Sequence, residues 1–133
     1  MSEYRWEVCD PLGNRVVLKE STFEKHIMSD NRTQKQIEHM IKIEKNVRET
    51  IENPRYIYRD RDYEQNKRHR YIDLIGLPEL NHIQALVVIV DTDRQPQEVV
   101  TWIIKRNLSK ESIFGEGGIV YDAKHNKNKY IST

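Results

Sequence analysis

Ile83-Gln84-Ala85-Leu86-Val87-Val88-Ile89-Val90 is an almost continuous apolar run rich in β-branched residues, which predicts a strand buried on both faces. The segments around it follow the same two-residue period. Upstream, Tyr56-Ile57-Tyr58 and Tyr71-Ile72 with Leu74-Ile75 predict two strands joined by a charged hairpin loop, the second broken at Gly76-Leu77-Pro78. Downstream, Asp91 to Gln97, with Pro96, predicts a hairpin loop before a strand at Val99-Val100-Thr101-Trp102-Ile103-Ile104. Gly115 to Gly118 then leads into Ile119-Val120-Tyr121, a fifth strand at the sheet edge.

The N-terminal half reads differently. Trp6 to Cys9 and Val16-Val17-Leu18 flank the turn sequence Asp10-Pro11-Leu12-Gly13-Asn14 and predict a small hairpin. Ser21-Thr22-Phe23-Glu24 has the form of a capping box and predicts a short helix from about residue 22, with Phe23, His26 and Ile27 on one side. A second box, Thr33-x-x-Gln36, precedes Ile37, Met40, Ile41, Val47 and Ile51 at helical spacing, which predicts one long helix up to Asn53-Pro54. The expected class is therefore α+β, with an N-terminal hairpin and two helices packed on one face of a four- to five-stranded antiparallel sheet whose other face stays open.

The 133 residues suit one domain, expected over residues 1–123, with residues 124–133 as a mobile basic tail. Charged residues make up 32% of the chain and the mean hydropathy is −0.82, yet the clustered apolar runs predict a folded core under a very wet surface. No apolar stretch approaches the roughly 18 to 20 residues of a membrane span, and Cys9 has no second thiol for a disulfide or zinc site. A soluble protein of the reducing cytoplasm, with no membrane partner, is expected. The net charge of +1 hides an uneven distribution. Residues 1–30 carry four cations against six anions, whereas residues 55–70 and 105–133 each reach +3. Two such segments side by side would form an anion-attracting face, although ordinary solvated surface explains them as simply.

Nucleotide-cofactor loops, zinc spacings among the five histidines and a serine-hydrolase elbow are all missing, and no cofactor is expected. What remains suits phosphodiester chemistry without a metal: His26, Tyr58, Arg70, Tyr71, Thr101 and Lys105. Cleaving RNA in this way takes a base for the 2'-OH proton, cations or donors on the non-bridging oxygens, and an acid for the 5' leaving oxygen. Histidine can serve as base or acid, arginine can grip a phosphate through two parallel hydrogen bonds, and the 2'-OH requirement selects RNA. Each residue also has a structural account. His26 fits a boundary position, Thr101 is a good strand former, Arg70 could pair with Asp60 or Asp62 across strands, and Tyr56, Tyr58 and Tyr71 could be half-buried sheet residues.

Taken in order, Asp10-Pro11-Leu12-Gly13-Asn14, Phe23-Glu24-Lys25-His26-Ile27, Thr50-Ile51-Glu52-Asn53-Pro54, Arg68-His69-Arg70-Tyr71, Leu86 to Val90 and Val99-Val100-Thr101-Trp102 resemble the phage-associated nuclease-like domains of the barnase, EndoU, colicin and RelE superfamily. The resemblance spans roughly residues 6–122. It implies N-terminal helices on a sheet of about four strands and a metal-independent RNase site on the exposed face. Carried over, the family's helix histidine falls on His26, its strand arginine on Arg70 and its late-strand threonine on Thr101. These would act as acid or base, transition-state clamp and phosphate positioner. Tyr58, Tyr71 and Lys105 are added from the chemistry as substrate-binding groups. A toxin or phage effector cutting RNA to a 2',3'-cyclic phosphate follows, with RNA as substrate and an antitoxin or immunity protein as neutralising partner. The alternative is a catalytically silent module that binds RNA or protein through the same face.

Overall fold

The computed structural model describes residues 3–29, 31–61, 63–77, 82–105 and 118–124. In chain order the elements are β1 (Tyr4–Cys9), β2 (Arg15–Lys19), α1 (Glu20–Thr22, continued by a π-helical turn at Phe23–Ile27), α2 (Gln34–Lys42), α3 (Glu44–Glu52), β3 (Tyr56–Arg59), α4 (Tyr63–Asn66), β4 (Arg68–Leu77), β5 (His82–Asp91), β6 (Gln97–Lys105) and β7 (Ile119–Asp122). All seven strands join one sheet in the order β1-β2-β6-β5-β4-β3-β7, antiparallel throughout except for β2 beside β6.

The class is α+β as expected, but the sheet has seven strands among the described residues, not four or five. The hairpin does not pack on the sheet; it extends it. Val16, Val17 and Leu18 are all 0% exposed, so β2 buries both faces and needs a neighbour on each side, which β1 and β6 supply. Its register with β6 is Val16↔Gln97 and Val17↔Glu98. The turn between β1 and β2 is held by Asp10, whose Oδ1 accepts from the backbone N–H of Leu12 and Asn14, while Gly13 takes the positive φ of 89° that a side chain resists.

The long helix is also corrected. At Ile43 (φ −92°, ψ 2°) it divides into α2 and α3. The Thr33 box forms as expected, with Gln36 N donating to Thr33 Oγ1 at 3.1 Å and Thr33 N to Gln36 Oε1 at 2.8 Å. The Ser21 box does not form. The helix starts earlier, at Glu20, so the extended N-cap position falls on Lys19 (φ −75°, ψ 143°), which makes no side-chain cap, and Ser21 lies inside the helix. The loop between β3 and β4 contains α4, which Lys67 closes in the left-handed conformation at φ 53°.

The helices cover one face of the sheet. Phe23, Ile27, Met40, Ile43, Val47 and Ile51 pack there against Leu18, Ile57, Tyr71, Leu86, Val88 and Trp102. The second face is not bare: Tyr58, Ile72, Val87 and Ile89 form a smaller buried cluster, flanked by Tyr56 and Val100. The tail segment 125–133 and the Gly115–Gly117 part of the expected turn lie outside the described residues.

Candidate functional site

Strand register sets up one row on the second face. Tyr58 on β3 stands opposite Arg70 on β4, Arg70 opposite Ile89 on β5, and Ile89 opposite Thr101 on β6. Arg70 and Thr101 are thus two strands apart, about 10 Å between backbones. A β-bulge is what brings Thr101 there. Val90 pairs with Val99 but Ile89 pairs with Thr101, so Val100 is an extra residue and the inside–outside alternation of β6 switches. Val99 and Trp102 face the helices as a result, and Thr101, Ile103 and Lys105 lie on the same side as Arg70.

Arg70 donates from Nε to Asp60 Oδ1 at 2.9 Å, one of the two ion pairs open to the sequence. Asp60 is buried and also accepts from Arg61 N (2.9 Å) and Asn66 Nδ2 (3.1 Å). Tyr58, 3% exposed, shares a hydrogen bond with Arg70; burial pushes its phenol up to about 12, partly opposed by the guanidinium. Lys105 belongs to the same field. Its amine is held below the usual lysine range, first by burial and then by the positive charges of Arg70 and Arg61. Lys105 thus senses both arginines, and Asp60 pairs with Arg70.

The sheet keeps two of the expected site residues away from this row. Tyr71 follows Arg70 in the strand and so must face the other way; it is 0% exposed, and its hydroxyl donates to Asp10 Oδ2 at 2.5 Å. Burial and that carboxylate raise its phenol far above the ordinary value. His26 lies on the π-helical turn whose Phe23 and Ile27 are buried in the core on the helix-covered side, and its own side chain is exposed. Its carbonyl accepts from Arg32 Nε at 3.2 Å. Tyr58, Arg70, Thr101 and Lys105 thus share a face, and His26 and Tyr71 are on the opposite side of the sheet.

Residues 7–122 fit the model of the phage-Barnase-EndoU-ColicinE5/D-RelE like nuclease 2 family, which covers every strand from within β1 to the end of β7. The chain belongs to this family. No curated protein and no solved structure matches significantly. As a member of a nuclease family, the chain has a nucleic acid as its implied substrate. No described helix is long and apolar enough to cross a membrane.

Within this nuclease-like chain, sequence reasoning passed over a second group at the ends of β3 and β4. Tyr63 stacks on His69 (5.5 Å between ring centroids, 19°), and Arg59 and Lys67 each stand 5.1 Å from the Tyr63 ring centre. Burial, with Arg59 nearby, holds the imidazole of His69 below its ordinary range, and its Nδ1 is buried with no hydrogen-bond partner among the described residues. The available signal was the density of aromatic and cationic residues from Arg59 to Arg70. That segment registered only as charge. Of the second +3 segment, only Lys105 and residues 118–124 are described.

Proposed function

We propose that the protein is a metal-independent endoribonuclease, a toxin or phage effector acting in the cytoplasm. The observation that carries the reading is the row joining Tyr58, Arg70 and Thr101, with Lys105 further along β6 on the same face, in a chain of a nuclease family. The RNA 2'-oxygen forms a bond to phosphorus, the bond from phosphorus to the 5' oxygen breaks, and a 2',3'-cyclic phosphate remains. A base takes the 2'-OH proton and an acid supplies one to the leaving oxygen. In this reading Arg70 stabilises the charge on the non-bridging oxygens, Thr101 donates to or positions the phosphate, Lys105 adds attraction, and Tyr58 orients Arg70. Tyr71 supports the strand from the core. His26, the acid or base that the resemblance implies, stands on the other side of the sheet, so this reading assigns it no proton transfer at the Arg70 row. A free RNase endangers its host, so a neutralising antitoxin or immunity protein with an acidic face accompanies the reading.

A second reading is favoured by the sheet lying between His26 and Arg70: a catalytically silent module that binds RNA through the same cations. Incubation of the protein with total RNA in EDTA separates the two. The nuclease reading expects cleavage with cyclic phosphate ends, reduced about 10²- to 10³-fold with Arg70→Ala. RNA that stays intact but binds in a salt-dependent manner supports the silent module.

A further inference from the structure

We propose that Arg59 and His69 form a second phosphate-binding subsite, on the helix-covered side of the sheet, which takes up a proton as it closes on a phosphodiester of a nucleic-acid strand. It rests on the nucleic-acid reading above but uses none of the residues in the Arg70 row. Arg59 stands directly opposite His69 across β3 and β4, so their Cβ atoms are about 5 Å apart on one face. That face is the one Ile57 and Tyr71 occupy, two residues away on each strand.

The pair is set up before any ligand arrives. Arg59 is exposed, and among the described residues it meets no carboxylate; its contact is the ring of Tyr63 at 5.1 Å. Tyr63 in turn stacks on His69, which fixes the plane of the imidazole. Nδ1 of His69 is buried while the side chain as a whole is only partly so, which leaves Nε2 as the nitrogen that meets a ligand. The neighbouring charges are otherwise engaged. Asp10, the carboxylate that His69 senses, is buried and accepts from Leu12 N, Asn14 N, Asn14 Nδ2 and the Tyr71 hydroxyl. Lys67, also 5.1 Å from the Tyr63 ring, pairs with Glu64 at 3.4 Å, and Val90 on β5 faces His69 without a charge.

A phosphodiester suits this pair better than a carboxylate does. The two oxygens of a carboxylate lie in one plane and are both taken by a guanidinium fork, whereas a tetrahedral phosphate presents one oxygen to Arg59 and another to Nε2–H of His69. Burial and Arg59 hold the imidazole below its ordinary range in the free protein. A phosphate beside it favours the charged form, so binding takes up a proton and tightens as pH falls.

The test uses the full chain and an uncleavable 2'-O-methyl oligouridylate, whose charge is constant from about pH 5 to pH 8, with the imidazole protons followed by NMR and His69 assigned from the spectrum of His69→Gln. Saturation with the oligonucleotide should raise the His69 pKa by about one unit, and the affinity should be several-fold higher at about pH 5 than at pH 8. Arg59→Gln should raise the His69 pKa of the free protein and remove most of the further rise on binding. Should His69→Gln fail to fold, Arg59→Gln, at an exposed position, carries the test, and His69 is then the resonance that this variant moves. An oligonucleotide that binds without moving His69 overturns the subsite, even if the protein cleaves RNA. A raised His69 in a protein that never cleaves RNA keeps the subsite and removes the nuclease. Inorganic sulfate that raises His69 where the oligonucleotide does not overturns the nucleic-acid assignment, and so does failure of the wild type to bind the oligonucleotide.

Discussion

Two arginine–carboxylate pairs in this molecule look alike on paper and do different work. Arg5 meets Glu44 through two nitrogens, and Trp6 Nε1 donates to the same carboxylate, so β1 is pinned to the start of α3 and the charge is closed off. Glu44 accordingly raises the pKa of Arg5. Arg70 meets Asp60 through Nε, and the pKa of the Lys105 amine is lowered, first by burial and then by the charges of Arg70 and Arg61, where that of the Arg5 guanidinium is raised. The difference separates structure from function. A carboxylate enclosed by three donors fastens elements together, whereas cations gathered on one face raise the positive potential there.

The largest effect expected from this contrast is on the fastening pair. Glu44→Ala strands Arg5 and Trp6 Nε1 and should cost about 2–3 kcal/mol, roughly 8 °C in melting temperature. Asp60→Asn should cost only about 1 kcal/mol, because Arg61 N and Arg70 Nε keep the Oδ1 acceptor and only Asn66 Nδ2 loses its oxygen. It should also tighten binding of an uncleavable oligonucleotide several-fold, by removing the anion from the cationic face. Equal melting losses in the two variants, or weaker binding in the Asp60 variant, would break the contrast.

Much of the fold was legible because it is local. The run Ile83 to Val90 does form β5, with Ala85 to Val88 and Val90 all 0% exposed, and Asn53-Pro54 does end α3. The misses are non-local or one residue wide. Nothing in Val16-Val17-Leu18 names Gln97 and Glu98 as parallel neighbours, although three successive buried residues do say that β2 is internal. The Val100 bulge decides which face Thr101 occupies, and no turn residue marks it. Ile43 divides the helix without a glycine or proline to announce the break. For the site, Asp60 was within reach as a partner of Arg70. The period of two already said that Tyr71 could not share its face.

Smaller effects sharpen the same comparison. Since the fold raises the Tyr58 phenol to about 12, its contribution to stability is complete below about pH 10 and is lost as pH rises through 12. Denaturation at pH 8 and pH 11 should show this loss, and Tyr58→Phe should remove part of it. Lys105 has its pKa lowered, so the folded state disfavours its proton; Lys105→Met should leave stability equal or raise it by a few tenths of a kcal/mol while weakening oligonucleotide binding. A clear loss of stability would mean that Lys105 fastens the fold instead.

The most direct measurement is the initial rate of RNA cleavage in EDTA by wild type, Arg70→Ala and Glu44→Gln, at a temperature where all three are folded. The rate should fall about 10²- to 10³-fold for Arg70→Ala and stay within about twofold for Glu44→Gln. An Arg70→Ala protein as active as the wild type, or a wild type that leaves RNA intact, would contradict that expectation.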